Sequence, residues 1–167
     1  MEGFSLERVL IDGALFTFAL TVLVLGSLTY NPRLWLHDYP EEIRVLQAPL
    51  TNGERRTRNI LVVLMLTILG GLFVSSFQLK AANGGTIPFL TAFTHVYLIF
   101  NIFNLFDAVV IDWFILMVLK PRFMLLPDVD SWMPVFHNPS LHITNYLKGV
   151  IGGVVLAGII ALITVIL

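Results

Sequence analysis

Residues 89–119 read FLTAFTHVYLIFNIFNLFDAVVIDWFILMVL. This run is longer than the ~20 apolar residues that a ~30 Å hydrocarbon core asks of a spanning helix. Working outward, three more stretches meet the same requirement. Residues 60–78, ILVVLMLTILGGLFVSSFQ, precede it; residues 9–30, VLIDGALFTFALTVLVLGSLTY, come first; and residues 147–167, LKGVIGGVVLAGIIALITVIL, come last. In lipid, backbone N–H and C=O groups are satisfied only within a helix or around a closed barrel. None of the four stretches alternates with period two, so a barrel is excluded. The expected fold is all-α: one polytopic four-transmembrane-helix bundle over residues 1–167.

Composition agrees. Of 167 residues, 57% are hydrophobic and 13% charged, and the mean hydropathy is +0.86. A soluble domain carries about 25% charged residues, and a chain this small has too high a surface-to-volume ratio to hide so much apolar surface. Lipid is its expected partner. A net charge of -1 argues against nucleic acid, whose binding needs a concentrated basic face. The chain has no cysteine, which removes disulfides, iron–sulfur clusters, c-type haem and palmitoylation. No nucleotide-binding glycine loop or nucleophile elbow is present. The leader MEGFSLER sets Glu2 and Glu7 against Arg8, whereas a secretory leader is net positive, so the first helix is expected to be retained.

Loop charge predicts the orientation. Of ten Lys and Arg residues, all but Arg8 and Lys80 fall in or beside the loops joining the first to the second and the third to the fourth helix. By the positive-inside rule both of these longer loops are cytoplasmic, with the two termini and the Asn83-Gly84-Gly85 turn outside. In the first loop Pro40 precedes a short helix opening on Glu41 and Glu42, and Leu34, Trp35 and Leu36 are expected in the membrane interface. The second loop, with prolines at 121, 127, 134 and 139, is not one helix. Its Phe, Met, Leu and Trp content predicts that it folds back on the helix ends.

In the fourth helix Gly149, Gly153, Ala157 and Ala161 recur every four residues, a small-residue face where another backbone can approach. Packing within the monomer is the simpler use of it; a homo-oligomer or a larger membrane complex is the other. Gly70 and Gly71 offer a second such point.

The third helix carries the unusual residues. Asn101, Asn104, Asp107 and Asp112 interrupt its apolar run. At about 100° per residue Asn101 and Asp112 fall nearly on one line, with Asn104 about 60° away and Asp107 about 60° beyond it. These four are the candidate ligand-binding residues, facing the bundle interior. An aspartate at this depth costs about 2.5–3.5 kcal/mol on the lenient insertion scale, so it must be protonated, paired or beside a polar cavity. Ser75 and Ser76 are hydrogen-bonding candidates for it. Asp12 and His95, at similar depth near the outer side, are a second pair, more simply structural. A third group, His37, Asp38, Asp128, Asp130, His137 and His142, lies on the cytoplasmic side by topology. Imidazole and carboxylate suit zinc, manganese or iron(II), and His37, Asp38, His137 and His142 are the metal candidates. Their spacing matches no strong metal signature, and solvated loop residues are the simpler reading.

The stretches NPRLWLHDYPEEI, NLFDAVVIDWFILMVLKPRF and FHNPSLHITNYLKG resemble an uncharacterised family of small bacterial four-helix integral membrane proteins with an F-D-x4-D-W motif in the third helix. Pro127-Asp128 stands where that pattern has a Pro-Gly turn. The resemblance implies a bacterial cytoplasmic membrane and no activity. The leading expectation is a carboxylate-containing cavity open to the cytoplasm that binds or moves a small ligand, ion or lipid. The alternatives are a membrane-embedded, metal-dependent enzyme acting on a lipid or isoprenoid, and an accessory subunit of a larger complex.

Overall fold

The computed structural model describes residues 3–39, 41–119, 121–122, 126 and 139–167. Among the described residues all regular structure is helical. In chain order it comprises α1 (Leu6–Tyr30), a 3-10 segment (Pro32–Asp38), α2 (Glu41–Arg44), α3 (Asn52–Ala82), α4 (Phe89–Phe106) continuing as a π-helix (Asp107–Leu119), and α5 (Pro139–Ile166). Four helices are long and apolar enough to cross a membrane, and by that measure this is a multi-pass membrane protein.

Consecutive spans run antiparallel. One end gathers the N-terminus, the α3–α4 turn and the C-terminus: Asn83 Nδ2 donates to Gly3 O at 3.2 Å, and Lys80 Nζ donates to Thr164 O at 2.9 Å. This is the terminal end. The opposite, loop end carries the two longer connections.

The helices outrun their apolar stretches because local signals extend them. At α3, Thr51 Oγ1 accepts from Glu54 N while a Glu54 carboxylate oxygen accepts from Thr51 N at 2.8 Å. This capping box satisfies two orphan amides and starts the helix at Asn52, not near residue 60. Helix α3 stops at Asn83, where Gly84 and Gly85 take φ of 75° and 86°, a region glycine enters without steric cost. Helix α5 starts at Pro139, whose fixed φ suits a first helical position, and not near residue 147. His142 and Asn145 are therefore helical residues and not loop ones.

In lipid no hydrophobic force draws helices together, so close packing and interhelical hydrogen bonds must. Phe16, Leu20, Leu72, Val96, Ile99 and Ile160 interlock at the centre, while Phe18, Leu66 and Ile151 point outward and are exposed. The small-residue face of α5 is used within the chain. A Cβ on Gly149 would collide with the Asn104 side chain, and one on Gly153 would come within 2.8 Å of Phe100 Cδ1. Ala157 and Ala161 are fully buried. Gly70 and Gly71, by contrast, have no neighbour within 4 Å of an added Cβ, so they are not the second packing point expected of them.

The first loop folds onto the helices. Leu34 and Leu36 are buried against the protein and Trp35 Nε1 donates to Ser27 Oγ at 2.8 Å. Leu28, Leu36, Tyr39, Ile43 and Leu126 form one cluster, so at Leu126 the second loop does reach back. Arg33 ties the loop to α3, with Nε 2.8 Å from Glu54 Oε1, Nη1 bonded to Gln47 and Nη2 to Ala48 O.

Gly149→Ala should force Asn104 out of place and lower stability by about 1–3 kcal/mol, the usual cost of overpacking. Gly71→Ala, which meets open space, should leave the thermal unfolding midpoint of the detergent-solubilised protein unchanged or slightly higher.

Candidate functional site

At residue 107 the backbone passes from α register into π register. In an α-helix Asp107 and Asp112 would stand about 140° apart at ~100° per residue. In a π-helix residue i bonds i+5, which brings residues five apart onto neighbouring faces. Both carboxylates accordingly line one cavity at the loop end, of about 410 Å³. Helices α1 and α3 wall it with Leu20, Leu28, Met65 and Leu69; Phe100 and Phe103 of α4 lie below the aspartates, and Trp35 and Tyr39 come from the 3-10 loop. Phe103 meets Phe16 of α1 edge-on, ring centres 6.0 Å apart.

Its polar groups differ in their partners. Asp112 Oδ2 is 3.2 Å from His142 Nδ1 of α5, the side chains being 21% and 10% exposed. Asp107 makes no hydrogen bond or ion pair among the described residues. Asn145, one turn along α5 from His142, completes the polar lining.

The two asparagines expected on this stripe are elsewhere. Asn101 Nδ2 donates to Tyr97 O within its own helix at 2.9 Å, and Asn104 Nδ2 donates to Tyr146 O of α5 at 3.2 Å. Both sit against Gly153 and Gly149 and serve packing; the change of register is what separates them from the aspartates. Ser75 and Ser76 are also far from Asp107 and Asp112. They lie near the terminal end, Ser76 on Thr164 at 2.9 Å.

Ser75 belongs to a second polar cluster. Its Oγ is 2.5 Å from Asp12 Oδ2 and 2.7 Å from His95 Nε2, with Asp12 and His95 3.9 Å apart. One hydroxyl hydrogen serves only one of these partners. If Ser75 donates to the carboxylate, its oxygen accepts from His95 Nε2–H, which assigns the tautomer. Nδ1 of the fully buried His95 is left without a partner among the described residues. Arg8 closes the cluster with Nε 3.6 Å from Asp12 and Nη2 2.6 Å from Gln78. The approach of Asp12 to His95 expected from their depths thus occurs, with Ser75 as the bridge, and it pins α1, α3 and α4 together.

Of the metal candidates, His37 is exposed and stacks on Trp35 at 14° and 6.5 Å, while His142 pairs with Asp112. His137, Asp128, Asp130 and the side chain of Asp38 lie outside the described residues. Among the described residues no three His, Cys, Asp or Glu side chains gather as a metal site.

The cavity residues that sequence reasoning missed are Trp35, Tyr39 and Asn145. A signal existed for Asn145: Asn138-Pro139 reads as a helix start, and His142 and Asn145 then share a face at i, i+3. Trp35 and Tyr39 depend on loop folding, which periodicity does not encode. Comparisons with protein-family models, with curated proteins and with solved structures find no match to this chain.

Ser75→Ala removes the hydroxyl that links Asp12 to His95. An interhelical hydrogen bond in a membrane contributes about 0.6–2 kcal/mol, and two meet here. The variant should unfold at lower temperature by about 1–2 kcal/mol, with Ser75→Thr losing less.

Proposed function

We propose that this chain is a small membrane-embedded binding protein whose loop-end cavity takes a small amphipathic molecule, with Asp107 as its principal polar contact. The observation that supports this reading is the Asp107 carboxylate: it borders a cavity of about 410 Å³ and has no partner among the described residues. A structural carboxylate at this depth would be expected to resemble Asp112, held by His142 at 3.2 Å. The volume lies within the ~300–1,000 Å³ of small-molecule sites, which are mostly apolar with few polar groups. The bias of Lys and Arg towards the loop end supports a cytoplasmic placement of that end; the cavity would then fill from the cytoplasm or inner leaflet of a bacterial cytoplasmic membrane, the membrane that the F-D-x4-D-W resemblance implies. Proton exchange at Asp107 or Asp112 would let binding couple to transport.

A second reading has one observation behind it. The Asp112–His142 pair at the edge of an apolar chamber sets an imidazole beside a carboxylate, the groups that a general base and its orienting partner require, as an enzyme acting on a lipid or isoprenoid would use. Chemical turnover of the bound molecule, abolished by His142→Asn while binding persists, would favour this reading. An accessory role would need a face other than the small-residue one, which α4 already fills.

Native mass spectrometry of protein gently extracted from its own membrane tests the leading reading. The expected result is one non-covalent adduct, lost in Asp107→Asn and in the cavity-filling Met65→Trp. A bare chain, or an adduct indifferent to both substitutions, would count against it.

A further inference from the structure

Resting on the reading of the loop-end chamber as a ligand site, we infer that its ligand class is the amphipathic organic cation. The charge of the lining points this way. Among the described residues Asp107 and Asp112 are its carboxylates, His142 is the lining side chain able to carry positive charge, and no Lys or Arg lines it. An anion, a phosphate headgroup included, would meet carboxylates where it needs donors. A cation supplies what Asp107 lacks, and in a low-dielectric chamber the attraction is far less screened than in water.

The walls narrow the class further. Phe100 and Phe103 below the aspartates and Trp35 and Tyr39 from the loop offer ring faces and edges. Ring faces attract cations, by about 0.5–1 kcal/mol when exposed and about 2 when desolvated. The indole of Trp35 is held by its bond to Ser27, so this part of the wall is set before any ligand arrives. Leu20, Leu28 and Leu69 provide apolar contact and no replacement for water ligands. A hydrated metal ion would have to shed its shell against hydrocarbon, and no three ligating side chains gather among the described residues. A cation that carries its charge on a hydrophobic frame has no such difficulty. The chamber, about 410 Å³, is large enough for a compact aromatic or branched ammonium or phosphonium.

Tetraphenylphosphonium and tetraphenylborate have nearly the same shape and opposite charge, which isolates the sign of the site. Calorimetric titration of each into the full chain in phosphatidylcholine nanodiscs, against empty discs, is the test, with monoolein as a neutral amphiphile. Saturable one-to-one binding of tetraphenylphosphonium is expected, weakened roughly tenfold or more by Asp107→Asn, retained in Asp107→Glu and blocked by Met65→Trp. Tetraphenylborate should show only the partitioning seen with empty discs. Saturable binding of tetraphenylborate or monoolein that Met65→Trp blocks, with Asp107→Asn without effect, would overturn the cation while leaving the chamber a ligand site. No saturable binding of any of the three probes would overturn both.

Discussion

Two carboxylates on a helix at membrane depth impose a constraint that the loop end of this molecule is arranged around. Each costs about 2.5–3.5 kcal/mol where it faces hydrocarbon, more than any single packing contact returns. No Lys or Arg occupies the apolar part of a helix to neutralise them. The structure answers in two ways. For Asp112 it extends α5 outward to Pro139, so that a histidine on its first turn arrives at 3.2 Å. For Asp107 it leaves space, bounded by α1, α3, α4 and the folded first loop. The π register sets both carboxylates towards that space; π segments are rare, and their single-turn form is frequent at functional sites.

The same need for satisfaction explains the far end. Asp12, Ser75, His95, Arg8 and Gln78 form a closed network across three helices. Among the described residues, its buried side-chain atom without a partner is His95 Nδ1. Between the two polar regions lies the apolar lock of Phe16, Leu72, Val96 and Ile99, and α5 is brought close to α4 by Gly149 and Gly153. One end of the bundle is thus a polar clamp across three helices; the other holds the Asp107 carboxylate beside a cavity.

Much of this was legible in the sequence, and the rest was not for identifiable reasons. Four apolar runs announce four spans because lipid thickness dictates their length. The repeat of Gly149, Gly153, Ala157 and Ala161 announces a packing face because close backbone approach requires small residues. The pairing of Asp12 with His95 follows from their equal depth. The inward facing of Asp107 was expected as part of a broad polar stripe, but the change of register that sets it beside Asp112 was not, since residues 89–119 contain no proline or glycine to signal it and an α wheel sets the two apart. Nor was the burial of Leu34 and Leu36, which comes from a loop fold that periodicity does not encode. Asn101 and Asn104 misled because polarity on one helix does not imply one face.

The central claim is that Asp107 and Asp112 share a chamber reached from the loop end. Since the chain has no cysteine, single cysteines can be read directly with a charged, membrane-impermeant thiosulfonate applied to vesicles of known orientation. The account predicts that Asp107→Cys and Asp112→Cys react from the loop side only, while Leu105→Cys and Val109→Cys, exposed on the same helical stretch, stay unreactive in lipid. Unreactive cysteines at 107 and 112, or labelling of all four positions alike, would contradict it.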